Sequence, residues 1–427
     1  MRSSHIMRTW SCSVLGFRTA LHSKLSDVLV ISMIAVGCGY PVLSGVGEAD
    51  AAGDGYIATP SICADGHVTG EEQCDDGNAV AGDGCSATCT LEAGFACVST
   101  GGASVCHVTK CGDGVVEGYE ECDDGDVVPF DGCSSRCMLE PHCDSGECAP
   151  VCGDGLKDPT EACDDGNLLA FDGCSAACAV ETGWHCDDVT APPSTSLSLP
   201  ILYRDMLYRS TTTPAAGHPD FEAATGSQRG LVASHLATDG KPVKSTVGTA
   251  VLTSALAFCW WYHESGCGTG SVNPFDKLVY LDTNGGPMAL QLTQQANPLN
   301  YEYSSAAFFP IDELGWNAGP SVQITDGHNF SFTSESHFPF TYRQGAAELS
   351  FTGDDDVWVF VGGQLAVDLG GVHAPQSAVV PIDSSLGLQE GHNYSVDLFQ
   401  AERHTPQSDY KLGLKNFTQT SSACIRK

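Results

Sequence analysis

Three stretches of the chain share one cysteine spacing, C-x10-C-x10-C-x3-C. They are "CADGHVTGEEQCDDGNAVAGDGCSATC", "CGDGVVEGYEECDDGDVVPFDGCSSRC" and "CGDGLKDPTEACDDGNLLAFDGCSAAC". The spacing places Cys63, Cys74, Cys85 and Cys89 in the first unit, and Cys111, Cys122, Cys133 and Cys137 in the second. Cys152, Cys163, Cys174 and Cys178 fall in the third. A fixed repeat must be read first, because it decides the architecture. Units of about 40 to 50 residues bury too little apolar surface to fold on a core alone. Disulfides take over that role, at roughly 3 kcal/mol for a loop of about 15 residues. The units are assigned to residues 63–110, 111–151 and 152–186, each paired within itself.

The first unit adds Cys97 and Cys106, the second Cys143 and Cys148, and the third only Cys186. Downstream lie Cys259, Cys267 and Cys424. Cys259 is expected to pair with Cys267, and Cys186 with Cys424, clamping both ends of the following domain; spacing alone does not fix connectivity. Of 22 cysteines, 17 lie between Cys63 and Cys186, a density that implies an oxidising compartment. A thiolate metal cage fails on spacing, since no CxxC pairs recur.

Export has a sequence basis. Arg2, Arg8, Arg18 and Lys24 precede the apolar run "VLVISMIAVGC", Val28 to Cys38. The run is too short to span a bilayer and suits a signal-peptide core. Residues 1–38 are read as that signal and 39–62 as a linker. "IAVGC" resembles a bacterial lipoprotein signal with Cys38 as the lipidated residue, although Ala35 stands where Leu is usual. An outer-membrane lipid anchor at the cell surface and free secretion stand as equal alternatives. The formal charge of -34, from 53 acidic and 19 basic residues, sets aside nucleic acid and anionic lipid as partners.

The "CGDG…E.CDDGN…DGCS..C" pattern resembles the myxobacterial cysteine-rich repeat family. The resemblance implies small disulfide modules on secreted or surface proteins, acting as spacers or interaction modules with no catalytic role. The "DDGN" and "GDG" stretches fit Asx turns with Gly at positive φ. They also fit calcium, which takes several oxygen ligands. Turns without metal are the preferred reading.

"DDVTAPPSTSLSLP" is rich in Pro and Ser, and residues 187–198 are read as a linker. After it, short alternating runs such as "KLVYLD", "AELSFT", "VWVFV", "YSVDLF" and "YKLGL" are broken by Gly, Asn and Pro. They predict a mainly β chain whose residues 199–427 form an antiparallel β-sandwich. Between "AELSFT" and "VWVFV" stand Asp354, Asp355 and Asp356. Adjacent carboxylates repel, so the triplet is either a solvated turn or a hard-cation site.

The runs "LYRDM", "HPDFE", "WWYHE", "FFPID", "HNFSFTSESHFPFTY", "FTGDDDVWVFVGGQLAVDLGGVH", "GLQEGHNYSVDLFQAERH" and "SDYKL" occur in that order. Together they resemble the fibro-slime domain, of the protective-antigen-type sandwich superfamily found in flocculins, adhesins and some glycosidases. In its lectin members two consecutive Asp, joined by a cis peptide, hold a calcium ion that binds sugar hydroxyls. The resemblance implies Asp354 and Asp355 as those metal positions, with Asp356, in place of the usual Gly, as an extra ligand or a residue that shifts the turn. "VGG" also departs from the usual Ile-Asn-Gly. "GGVH", with Gly371 and His373, is the expected second-loop ligand region.

Other polar residues have plainer readings. Glu402, Arg403 and His404 in "AERH" are read as a structural ion pair or loop anchor. His263 and Glu264 do not make HExxH, because Cys267 stands where the second His is needed. Trp260, Trp261 and Tyr262 are read as core aromatics before sugar-stacking ones. No GxSxG motif, P-loop or glycosidase acid pair is evident. The expected function is an exported, non-enzymatic, calcium-dependent carbohydrate-binding adhesin, with a glycan or polysaccharide and matrix proteins as partners. The alternatives are a structural protein of slime, matrix or spore coat and, last, a polysaccharide hydrolase.

Overall fold

A computed structural model describes residues 62–427, apart from 71, 119, 142, 144–146, 169–171, 192–194, 209–216, 224, 247–250, 269–271, 319–323 and 346. The export signal, Cys38 and nearly all of the first linker lie outside the described residues.

Each cysteine-rich unit is held by two nested disulfides. They are Cys63–Cys89 around Cys74–Cys85, Cys111–Cys137 around Cys122–Cys133, and Cys152–Cys178 around Cys163–Cys174. Inside each nest sits the first Asp of the "CDDG" run. Asp75 accepts from the N–H groups of Asp65, Gly66 and Gly77. Asp123 accepts from Gly112, Asp113, Gly114 and Gly125, and Asp164 from Gly153, Gly155 and Gly166. Burial raises the pKa of Asp75 and Asp123, but these N–H donors outweigh it and hold both below the usual range. The repeated carboxylate is thus a turn hub, bonded to backbone N–H groups.

Strands β1 (Phe95–Val98) and β2 (Val105–Val108) form a hairpin closed by Cys97–Cys106. Strand β3 (Trp184–Ala191) follows the third unit. In the second unit Cys143–Cys148 closes a short loop. The sandwich begins with β4 (Ser196–Pro200), β5 (Leu202–Met206), β6 (Gly226–Ser227), β7 (Asp276–Val279), β8 (Ala289–Gln294) and β9 (Asn300–Ser305). Then come β10 (Phe332–Thr341), β11 (Ala347–Gly353), β12 (Asp356–Val361), β13 (Gln364–Leu369), β14 (Gly371–Val372) and β15 (Gln376–Ile382). The chain ends with β16 (Asn393–Glu402), β17 (Tyr410–Lys415) and β18 (Gln419–Arg426).

Two antiparallel six-stranded sheets result, in the orders β13-β12-β16-β10-β5-β7 and β15-β11-β17-β9-β8-β4. The fold is mainly β, a C-terminal sandwich behind small disulfide-rich modules. Side chains alternate along a strand. In β12, Val357, Val359 and Val361 enter the core between the sheets, with Leu349, Phe351, Leu398 and Leu412. Trp358 and Phe360 face the other way and are buried too, beneath Phe221, Phe258, Trp261 and Tyr262 of the segment before β7. That segment includes a short helix, α1 (Ala255–Cys259), and the Cys259–Cys267 disulfide. Covered on both faces, β12 is buried along its whole length, and so is whatever leads into it.

The expected linker at 187–198 is a correction. Its described residues include the end of β3, paired with β18, and most of β4, paired with β8. Both strands pair with segments distant in sequence, which no local signal in the stretch marks.

Candidate cation site

The Asp triplet sits where β11 of one sheet passes into β12 of the other. Asp355 takes φ +54°, a left-handed conformation that Asp tolerates better than most residues. The peptide joining Asp354 and Asp355 is trans, unlike that of the lectin members; the cis bond among the described residues is Thr405–Pro406. A solvated turn is not what forms. Asp354 and Asp355 are 3% exposed and Asp356 is 0% exposed.

Asp356, expected among the metal ligands, has another occupation. One of its oxygens meets Arg403 Nε at 2.5 Å, and the other accepts the Gly371 N–H at 2.5 Å. Arg403 is itself wholly buried, with Nη1 donating to the carbonyls of Asp220 and Val251 at 3.2 Å and the guanidinium 5.0 Å from the Trp261 ring. Burial works against its charge, yet Asp356 and Asp355 outweigh burial and raise its pKa. The Gly position of the family motif is therefore filled by a residue of the scaffold. The reading of "AERH" as holding an ion pair fits Arg403.

The remaining carboxylates are less well matched. Asp354 Oδ1 accepts the Asp409 N–H at 2.6 Å, while Oδ2 is sealed from water without a partner. Burial pushes Asp354 up to about 6. Asp355 accepts the Arg403 N–H at 2.7 Å, and burial carries its pKa well above the usual range despite that bond. Glu402 ends β16, one residue past Ala401, which pairs with Asp356. It is 0% exposed, and neither of its oxygens has a hydrogen-bond partner. The Ser408 hydroxyl beside it donates to Phe308 O instead. Burial first, then Asp355 and Asp354, raise the Glu402 pKa strongly. Sequence reading assigned Glu402 no ligand role, since nothing local marks a strand-end Glu as lying near two aspartates of a distant turn.

The second-loop region does reach the triplet. Gly371 contributes its N–H to Asp356, and the His373 carbonyl accepts the Asp355 N–H at 3.5 Å. The His373 ring contacts the carbonyls of Leu369 and Ala374. Trp260, Trp261 and Tyr262 are 6%, 0% and 1% exposed, so these aromatics are core and offer no stacking face. His263 lies beside Cys259 and Cys267, but those two sulfurs are bonded to each other and His263 pairs with Asp239 at 3.0 Å.

Among the described residues, an acidic group whose oxygens already lie within 4.8 Å of one another is Asp124, Asp126 and Asp131, exposed in the second repeat. Asp354, Asp355 and Glu402 are not drawn together that closely. They differ in being buried, with three oxygens unsatisfied. That arrangement is costly for a chain alone, and the oxygens would have to draw closer to share one hard cation.

Comparison with known proteins gives a consistent picture. Residues 319–424 match the PA14 domain. Residues 54–90, 100–138 and 140–179 match a domain of unknown function, DUF4215. Protein psiR and protein psiD of Dictyostelium discoideum are each 37% identical to the chain, over 209 and 217 residues. These matches cover 46% and 48% of this chain but only 19% and 40% of those proteins. The chain thus spans a fifth to two fifths of these relatives' length. Among solved structures, the PA14 domain of the MpAFP antifreeze protein is 12% identical with a TM-score of 0.19, covering 31% of this chain and 74% of that one. The PA14 sugar-binding domain from an RTX adhesin is 7% identical with a TM-score of 0.21, covering 54% and 96%. Such scores support no residue-by-residue correspondence. The matches name the broader PA14 domain and not fibro-slime: part of the sandwich is similar to PA14 domains, and the cysteine-rich region is similar to DUF4215 repeats.

Proposed function

We propose that the protein is an exported, non-enzymatic binding protein of the cell surface or extracellular matrix, a calcium-dependent carbohydrate-binding adhesin. Asp354, Asp355 and Glu402 hold the cation in this reading, and Asp356 with Arg403 fixes the turn that presents them. The observation that carries it is Glu402, fully buried with both oxygens unpartnered, on the strand next to two buried aspartates. A cation would relieve the repulsion among these groups, and the Arg403 guanidinium is bonded to Asp356. A bound calcium ion supplies open coordination positions that vicinal sugar hydroxyls can fill. The PA14 match and the disulfide framework of an oxidising compartment support the same reading.

The test is retention of the full chain on a glycan array with calcium and with chelator. Binding that is lost with chelator, and lost in Asp355→Asn, is the expected result. Retention unchanged by both would remove the cation from the account. No retention on any glycan would favour a structural role in slime, matrix or spore coat.

A further inference from the structure

The first and third repeats are built alike up to one strand. In the first, β1 and β2 place Cys97 opposite Cys106, with Cα atoms 4.0 Å apart. The Ser104 N–H donates to Asp75 O at 2.6 Å, and Ser104 Oγ accepts the Asp75 N–H at 2.9 Å. In the third, β3 occupies the place of β1, but the next strand, β4, pairs with β8 instead. Its partner is β18, at the far end of the sequence. Cys186 lies opposite Cys424, with Cα atoms again 4.0 Å apart. The Ser422 N–H donates to Asp164 O at 2.6 Å, and Ser422 Oγ accepts the Asp164 N–H at 3.0 Å.

The packing beneath the hairpins agrees. A Cβ built on Gly84 would collide with Cys106 Cβ and lie 3.1 Å from the Phe95 ring. A Cβ built on Gly173 would collide with Cys424 Cβ and lie 3.1 Å from the Trp184 ring. One offset of 89 carries Asp75, Gly84, Phe95 and Cys97 onto Asp164, Gly173, Trp184 and Cys186. A second offset, 318, carries Ser104 and Cys106 onto Ser422 and Cys424. The first hairpin is joined by residues 99–104; the third is joined by the whole sandwich.

We infer that the third repeat presents a strand-accepting surface, that its partner is the C-terminal strand β18 of the same chain, and that the sandwich is inserted into the hairpin of that repeat. Hairpin tips are where chains tolerate insertion. β18 belongs to the repeat, although it touches the sandwich where the Thr420 N–H donates to Thr341 Oγ1 at 3.0 Å and Gln419 reaches Pro339 O at 3.1 Å. The sandwich then leaves and re-enters the repeat at one disulfide, which short-circuits the 238-residue separation between Cys186 and Cys424.

The test is amide hydrogen exchange, read peptide by peptide, on the full chain and its variant Ser422→Pro/Cys424→Ser. The variant is expected to lose protection by tenfold or more across residues 152–191, while β12 and β16 keep theirs. Ser104→Pro in the full chain is expected to do the same to residues 63–98 alone. Loss that spreads into β12 and β16, or none in 152–191, would overturn the inference, because β18 would then be a sandwich strand. Cys186→Ser/Cys424→Ser, which keeps the pairing groups of Ser422, is expected to show an intermediate loss confined to 152–191; loss elsewhere overturns it as well.

Discussion

Arg403 Nε and Asp356 Oδ2 stand 2.5 Å apart with both side chains fully buried, and this ion pair divides three consecutive aspartates into two roles. Removing one partner of a buried pair leaves an uncompensated charge in a medium that solvates it poorly. Asp356→Asn is therefore expected to destabilise the sandwich by about 3–5 kcal/mol. Thermal unfolding checks this, with Asp354→Asn as the comparison that keeps the pair and retains the fold.

Glu402→Gln has the opposite expectation. The substitution removes a buried carboxylate that Asp355 and Asp354 repel. In the absence of calcium it should raise stability on the order of 1 kcal/mol, which is about 2–4 °C in the midpoint for a domain of this size. The stabilisation that calcium confers on the wild type should shrink in the same variant. Paired melts with calcium and with chelator read both effects.

His218 gives a pH prediction outside the carboxylate cluster. Its Nδ1 accepts the Asp220 N–H at 3.2 Å, and Nε2 faces Ala257 O at 2.9 Å, so the neutral ring is fully satisfied. Burial, opposed by Asp220, lowers its pKa to about 4. Between about pH 6.5 and 4 the unfolded chain takes up a proton that the folded chain refuses. Stability from this group is therefore complete above pH 6.5 and is lost as pH falls, by roughly 1 kcal/mol per pH unit. The wild type should lose more stability than His218→Gln across that window, as urea unfolding at stepped pH would show.

Gly84 and Gly173 lie at φ +116° and +128°, each beneath a cysteine of the paired strand. Gly173→Ala strains the backbone and intrudes on Cys424 Cβ, so it should disfavour the Cys186–Cys424 bond. Gly84→Ala should do the same to Cys97–Cys106. Disulfide mapping should find free or mispaired cysteine in each variant, confined to the repeat that carries the change.

How far the sequence reached differs by element. The nested repeats were legible because covalent spacing is local, and strands such as "AELSFT" because alternation survives in one dimension. The triplet's place at a strand mouth was legible for the same reason. The work of Asp356 was not, since Arg403 lies 47 residues downstream, just past the end of the neighbouring strand β16. Nor was Glu402, whose importance is its burial beside Asp355. The stretch after Cys186 read as linker because the strand β3 is held in place by β18, far along the chain, and nothing local marks that pairing.

The central claim is that the buried aspartates hold a cation. Calorimetric titration of calcium into the full chain tests it, wild type against Asp354→Asn/Asp355→Asn. The account predicts a saturable sandwich site in the wild type that the double variant lacks, with any calcium taken up by the repeats unchanged. Identical isotherms for the two proteins would contradict it and leave the triplet as a structural turn.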